Sequence, residues 1–116
     1  RGMELKQKVF VTRKEPVTTT YIPDFNSVLP VIWEREVLNK TPKGYRLSGT
    51  SSPDKGVFHS AADFCFFDTY ADALKFVAES ACNVAVELDK MKLKAERLES
   101  AALYELAAKQ RGEAWS

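Results

Sequence analysis

Cysteine is scarce in this chain of 116 residues, with only Cys65 and Cys82 present. Two cysteines cannot build a disulfide framework, and their spacing matches neither a zinc knuckle nor a thioredoxin-like pair. Cys65, inside Phe64-Cys65-Phe66-Phe67, reads as a small buried residue, and Cys82, on an expected helix, reads as buried in the same way. Histidine is scarcer still: His59 stands alone. A metal centre needs several such ligands at recognisable spacing, so no metal site is expected. Glycine offers no phosphate-cradling loop, since the five glycines are isolated and no Gly-Lys-Ser/Thr run exists. No cofactor is expected. No apolar run approaches a membrane span, and no basic start leads into an apolar stretch, so neither a membrane partner nor a secretory signal is expected. Met3 reads as the natural start, and Arg1 and Gly2 are set aside.

Charge of one sign is also lacking. Lys plus Arg number 17 and Asp plus Glu 16, giving a net charge of +1. That balance argues against a broad basic surface for nucleic acid. The remaining acid–base candidates are weak. His59, Ser60 and Asp63 supply the residue types of a hydrolase triad without a nucleophile-elbow motif. Glu34 and Glu36 share one face of a strand, with Arg35 on the other, as on a solvated strand. The chain therefore reads as non-enzymatic.

What is present falls into two halves. All five prolines (Pro16, Pro23, Pro30, Pro42 and Pro53) lie before residue 68, where they punctuate short strands. Strands are expected at Val9–Val11, Val17–Ile22, Val31–Leu38, Tyr45–Leu47, Val57–His59 and Asp63–Phe67. Thr41-Pro42-Lys43-Gly44 reads as a tight turn between two of them, and Ser51–Gly56 as a second loop. From Tyr70 to Arg111 there is neither Gly nor Pro over 42 residues, and Ala, Leu, Glu and Lys dominate. Thr69 is the expected N-cap, with Asp72 in the first turn and Lys109 and Arg111 near the far end, where each charge suits the helix dipole. Gly112 supplies the stop.

The helix carries a heptad. Leu74, Ala81, Leu88, Ala95 and Ala102 are spaced by seven, and Tyr70, Val77, Val84, Met91 and Leu98 fall between them. This is the spacing of a coiled-coil seam, failing only at Glu105, where Leu106 takes over. With Leu74 at position a, Glu87 and Lys94 occupy g while Lys92 and Glu99 occupy e. The Glu87–Lys92 and Lys94–Glu99 pairs attract across a parallel dimer, and an antiparallel pairing also matches opposite signs. Such pairs contribute ~0.3–0.5 kcal/mol each, so they bias orientation without deciding it. Phe76 lies off the seam and marks a second face, expected to dock on the β unit. A helix of this length spans roughly 63 Å, against a radius of gyration of about 11 Å for the β unit. Its apolar stripe is therefore expected to seek another surface, a second copy of the chain. The competing arrangement, a helical hairpin, needs a break near Asp89-Lys90 or Glu99-Ser100, where no Gly or Pro stands.

The expected fold is α+β: a small antiparallel β-sheet or partly open barrel over residues 3–67, followed by one long C-terminal helix, residues 69–111, forming an intermolecular coiled coil. Oligomer contacts are assigned to Leu74, Val77, Ala81, Val84, Leu88, Met91, Ala95, Leu98 and Ala102. Partner-binding loops are assigned to Lys40, Lys43, Tyr45, Arg46 and Lys55, because loops on a rigid scaffold commonly carry binding. The alternative is a small β-barrel holding single-stranded nucleic acid. Residues 1–67 carry 10 basic against 7 acidic side chains, with Arg13, Lys14, Lys40, Lys43, Arg46 and Lys55 near turns and Tyr21, Trp33 and Tyr45 close by in sequence.

Val31 to Gly44 ends in Glu-Val-Leu-Asn-Lys-Thr-Pro-Lys-Gly, and Phe67-Asp68-Thr69-Tyr70-Ala71-Asp72-Ala73 leads into the helix. Together these segments resemble small uncharacterised proteins encoded by bacteriophages, in which a compact β unit precedes a long coiled helix. The helix opening differs, with Ala71-Asp72-Ala73 in place of a doubled acidic pair. The resemblance covers residues 30–100 and implies a viral accessory protein that binds, and often inhibits, a host protein in the host cytoplasm. It carries over no functional residue.

Overall fold

A computed structural model describes residues 7–25, 29–49 and 55–112. The expected start at Met3 and loop residues 51–54 lie outside the described residues. Five strands are followed by one helix: β1 Lys8–Arg13, β2 Trp33–Thr41, β3 Gly44–Leu47, β4 Val57–Ser60, β5 Phe64–Phe67 and α1 Tyr70–Gln110. The sheet is antiparallel throughout, in the order β4-β3-β2-β1-β5. The α+β class is thus present as a five-stranded sheet and one long C-terminal helix.

The chain divides into two compact units inside α1, after Cys82. The sheet and the first turns of the helix form one unit, and the helix from Asn83 onward forms the other.

Consecutive strands β4 and β5 lie at opposite edges, joined only by Ala61, Ala62 and Asp63. Edges of a flat five-stranded sheet lie ~19 Å apart, at ~4.8 Å per strand. Four residue steps reach at most ~14 Å. The sheet must therefore curl until its edges approach. Ring contacts across the mouth show that it does: His59 of β4 lies 4.8 Å from Phe64 of β5, and Tyr45 of β3 lies 4.3 Å from Phe66 of β5.

Alternation along each strand then sorts side chains between the two faces. Val9, Val11, Trp33, Val37, Tyr45, Leu47, Phe64 and Phe66 face inward and form the core, with Val9, Val11 and Leu47 essentially inaccessible. Cross-strand register brings Val11 opposite Trp33 on one side and Phe66 on the other. A bulge between Val37 and Asn39 shifts β2 before it continues against β3, adding the local bend that curling requires.

The opposite face receives α1. Phe10 packs on Tyr70 at 5.7 Å between ring centroids, Phe67 packs on Phe76 at 5.4 Å, and Ala73 is fully buried. Phe76 thus docks on the sheet as its off-seam position suggests. Thr69 caps the helix, accepting a hydrogen bond from the Asp72 amide at 3.1 Å. Gly112 ends it at φ 83°, its amide donating to the Lys109 carbonyl.

Two expectations change. Val17–Ile22 is not a strand: only an isolated Thr18–Tyr21 bridge forms. The Thr18 hydroxyl accepts from the amides of Thr20 and Tyr21, turning a Thr-rich segment between two prolines into a local turn. The long strand begins at Trp33 rather than Val31, because the buried Thr12 hydroxyl donates to the Val31 carbonyl at 2.8 Å and draws that residue off the ladder.

Two substitutions test this frame. Thr69→Ala should lower stability by about 1 kcal/mol in chemical denaturation, while Thr69→Ser leaves it nearly unchanged. At Gly44, φ is 154° and an added Cβ would collide with the His59 carbonyl oxygen and lie 2.9 Å from Phe58 Cζ. Gly44→Ala should therefore cost more than about 2 kcal/mol, because the obstacle is backbone and cannot swing away.

Candidate functional site

The basic residues assigned to partner-binding loops do not converge. Lys40 and Tyr45 are cross-strand neighbours, with the ammonium 5.5 Å from the ring centroid. Tyr45 also packs into the core. Arg46 follows Tyr45 and so points to the outer face, where its guanidinium reaches the Lys55 carbonyl at 3.5 Å. Lys43 and Lys55 are exposed. Lys40 and Tyr45 therefore belong to one place, Arg46 and Lys55 to another.

A different group does converge. Val11, Arg13, Trp33, Arg35, His59 and Phe64 line a cleft of about 240 Å³ within the sheet unit. Arg13 continues the inward series Val9-Val11 along β1, and Arg35 lies between Trp33 and Val37 along β2. Val9 opposes Arg35 and Val11 opposes Trp33, so the two arginines flank an apolar floor. Phe64 and His59 form the wall. The Arg13 guanidinium lies 5.6 Å over the Phe64 ring, Trp33 meets Phe64 edge-on at 6.4 Å, and His59 meets it edge-on from the other strand.

No carboxylate lines this cleft. Arg35 is flanked in sequence by Glu34 and Glu36, which line a neighbouring recess with it, and Glu34 pairs with Lys8 at 3.6 Å. Arg35 satisfies one donor on the Glu34 carbonyl oxygen at 2.9 Å. Among the described residues neither Arg13 nor Arg35 has an acidic side chain within ion-pair reach. The His59 Nδ1 lies 3.1 Å from the Val57 carbonyl oxygen, so it carries the proton of that hydrogen bond. That leaves Nε2 as the ring's remaining polar atom. His59 is not joined to its sequence neighbours Ser60 and Asp63 in a relay: the Ser60 hydroxyl accepts from the Ala62 amide, and the Asp63 amide donates to the Ser60 carbonyl.

Period-two alternation already places Arg13 and Arg35 on the face of Val9, Val11 and Trp33. What sequence reasoning missed is the approach of His59 and Phe64 from opposite sheet edges, which only the curl produces. No group of three or more His, Cys, Asp or Glu among the described residues is placed to hold a metal ion. Cys65 is half-buried as part of β5, whereas Cys82 is exposed, because it sits on the side of α1 opposite the buried Ala73.

The second candidate surface lies along α1, which runs without a break past Asp89-Lys90 and Glu99-Ser100. Tyr70, Leu74 and Val77, the first residues of the heptad, lie in the sheet unit, where Leu74 and Val77 are half-buried. Of the heptad residues, Tyr70 shares the docking face with the off-seam Ala73 and Phe76. In the distal unit Val84 and Leu88 are half-buried, Met91 is 51% exposed and Leu98 71%. Ala81, Ala95 and Ala102 are exposed, as are Glu87, Lys92, Lys94 and Glu99. Val86, Leu93 and Tyr104 are exposed on the side away from the heptad stripe, at positions the heptad does not use.

No described helix is long and apolar enough to cross a membrane. No protein-family model, curated protein or solved structure matches the chain, so the resemblance to phage proteins stands on the residues quoted for it.

Proposed function

We propose that this chain is a non-enzymatic protein-binding accessory protein that works as a homo-oligomer in the cytoplasm, its copies joined through α1. One observation carries the reading: the heptad stripe stays open from Met91 through Leu98 to Leu106, each at least half exposed. Burying such a side chain is worth about 1.5–3 kcal/mol, so a repeating line of them favours a matching surface. A second copy presents the same line at the same spacing. The alanines at Ala81, Ala95 and Ala102 permit close approach of two helices, and the exposed Glu87, Lys92, Lys94 and Glu99 place opposite charges along its edges. Because Tyr70 packs on Phe10 and Leu74 and Val77 are already half-buried, the paired segment begins near Ala81. The sheet unit then offers Lys40 and Lys43 on one hairpin as a basic contact for an acidic protein segment, which in a phage accessory protein would be a host target.

The paired assignment is tested by Leu88→Asp with Met91→Asp. Light scattering should report a monomer where the parent chain is at least dimeric, with unchanged circular dichroism from the sheet, and an unchanged mass overturns the coiled-coil reading. The partner assignment is tested by affinity capture with the parent chain and with Lys40→Glu/Lys43→Glu. A bound protein lost in the variant supports it, and equal capture by both removes these residues from the interface.

A further inference from the structure

We propose that the cleft formed by Val11, Arg13, Trp33, Arg35, His59 and Phe64 binds one nucleotide unit, its phosphate held by the two arginines and its base packed on the aromatic wall. The chemistry of the lining selects this ligand class. Two guanidinium groups line one cleft, and no carboxylate of the described residues lines it with them or forms an ion pair with either. An anion supplies that charge, and a phosphate matches the planar fork of arginine in paired hydrogen bonds. Arg35 makes the case most directly: it is half-buried on the inward face, between Trp33 and Val37, with only a carbonyl oxygen as partner. A charge so placed gains from a ligand that brings opposite charge.

The rest of the lining asks for a flat ring. Trp33, Phe64 and His59 are half-buried, and Trp33 and His59 each meet Phe64 edge-on, so ring surface remains accessible at the cleft. Bases stack on such surfaces with little sequence preference. His59 Nε2, left over by the Nδ1 hydrogen bond to Val57, adds one polar atom for a sugar hydroxyl or a base edge. Size narrows the choice further. At about 240 Å³ the cleft is smaller than the ~300–1,000 Å³ of pockets that enclose drug-sized ligands, which suits a single nucleotide rather than a dinucleotide cofactor. Duplex is excluded, since a paired and stacked base cannot enter a concave cleft. The nucleotide has two possible sources, a free mononucleotide or one unit of a single strand.

The test uses the full chain carrying Trp115→Phe, so that Trp33 is the sole tryptophan. Its emission is followed during titration with thymidine 5′-monophosphate, thymidine, inorganic phosphate and an octathymidylate single strand at low salt. The monophosphate should quench saturably. Thymidine and phosphate should each bind about tenfold or more weakly, because each lacks half of the recognition. Arg13→Gln and Arg35→Gln should each weaken binding by about tenfold, with Arg35→Lys intermediate because it keeps the charge and loses the fork. Lys55→Gln, outside the cleft, should change affinity by less than about twofold. Unchanged dichroism in each variant separates loss of site from loss of fold. An octamer more than about tenfold tighter than the monophosphate, with affinity falling as salt rises, assigns the site to single strands. Affinities within that factor assign it to the free nucleotide. No saturable quenching by either, equal affinity in both arginine variants, or phosphate binding as tightly as the monophosphate overturns the proposal. The cleft belongs wholly to the sheet unit, so the Leu88→Asp/Met91→Asp chain should retain the quench whether or not the helices pair.

Discussion

Three residues between β4 and β5 govern this structure. Ala61, Ala62 and Asp63 join strands at opposite edges of a five-stranded sheet, a distance they cannot span if the sheet is flat. Curling is the only solution, and it is held in place by backbone bonds at the link: Ala61 donates to the Lys43 carbonyl, Asp63 to Ser60, and Lys14 to Asp63. From the curl follow an inner face where Tyr45 meets Phe66 and His59 meets Phe64, and an outer face on which Phe10 and Phe67 receive the helix. A core of three fully buried apolar side chains, Val9, Val11 and Leu47, is enough for so short a sheet only because half-buried aromatics from both edges fold over it.

The helix docks on the sheet through its first turns. A 3.6-residue repeat keeps positions three and four apart on one side, so Tyr70, packed on Phe10, starts an apolar line that continues as Val77, Val84, Leu88, Met91 and Leu98. The boundary between the two compact units falls within a continuous helix because the backbone runs on after its tertiary contacts stop. Phe76 adds width to the docked face where it meets Phe67. The exposed Val86, Leu93 and Tyr104 lie off the apolar line.

The cleft and the stripe represent opposite economies of charge. Along the distal helix, acidic and basic side chains alternate and are solvated, so they set orientation weakly. In the cleft, two arginines share an apolar recess without an acidic partner. In sequence these differences are hidden, since net charge near zero averages a slightly basic sheet half with a slightly acidic helical one. Location, not composition, gives the cleft arginines their meaning.

Much of the local structure was legible in the chain. The proline-punctuated half, the Gly- and Pro-free run, the Thr69 cap, the Gly112 stop and the turn at Pro42-Lys43 each rest on short-range stereochemistry, which depends on neighbours in sequence. The Thr18 turn was misread because β-branched composition signals extended backbone equally in strands and in hydroxyl-capped turns. Cys82 was misread because which side of a helix is covered depends on what packs there. Strand order was not legible at all: nothing local states that β1 sits between β2 and β5, or that β5 ends opposite β4. Sequence alone therefore determined the long helix with its cap and stop, most of the short strands and the heptad along α1. Tertiary structure alone decided that the sheet curls, that Tyr70 packs on it, and that Arg13, Arg35, Trp33, His59 and Phe64 share a cleft. The physical reason is that local propensities act over a few residues, whereas the cleft is assembled from strands up to about fifty residues apart, brought together by the register of a ladder and the reach of a three-residue link.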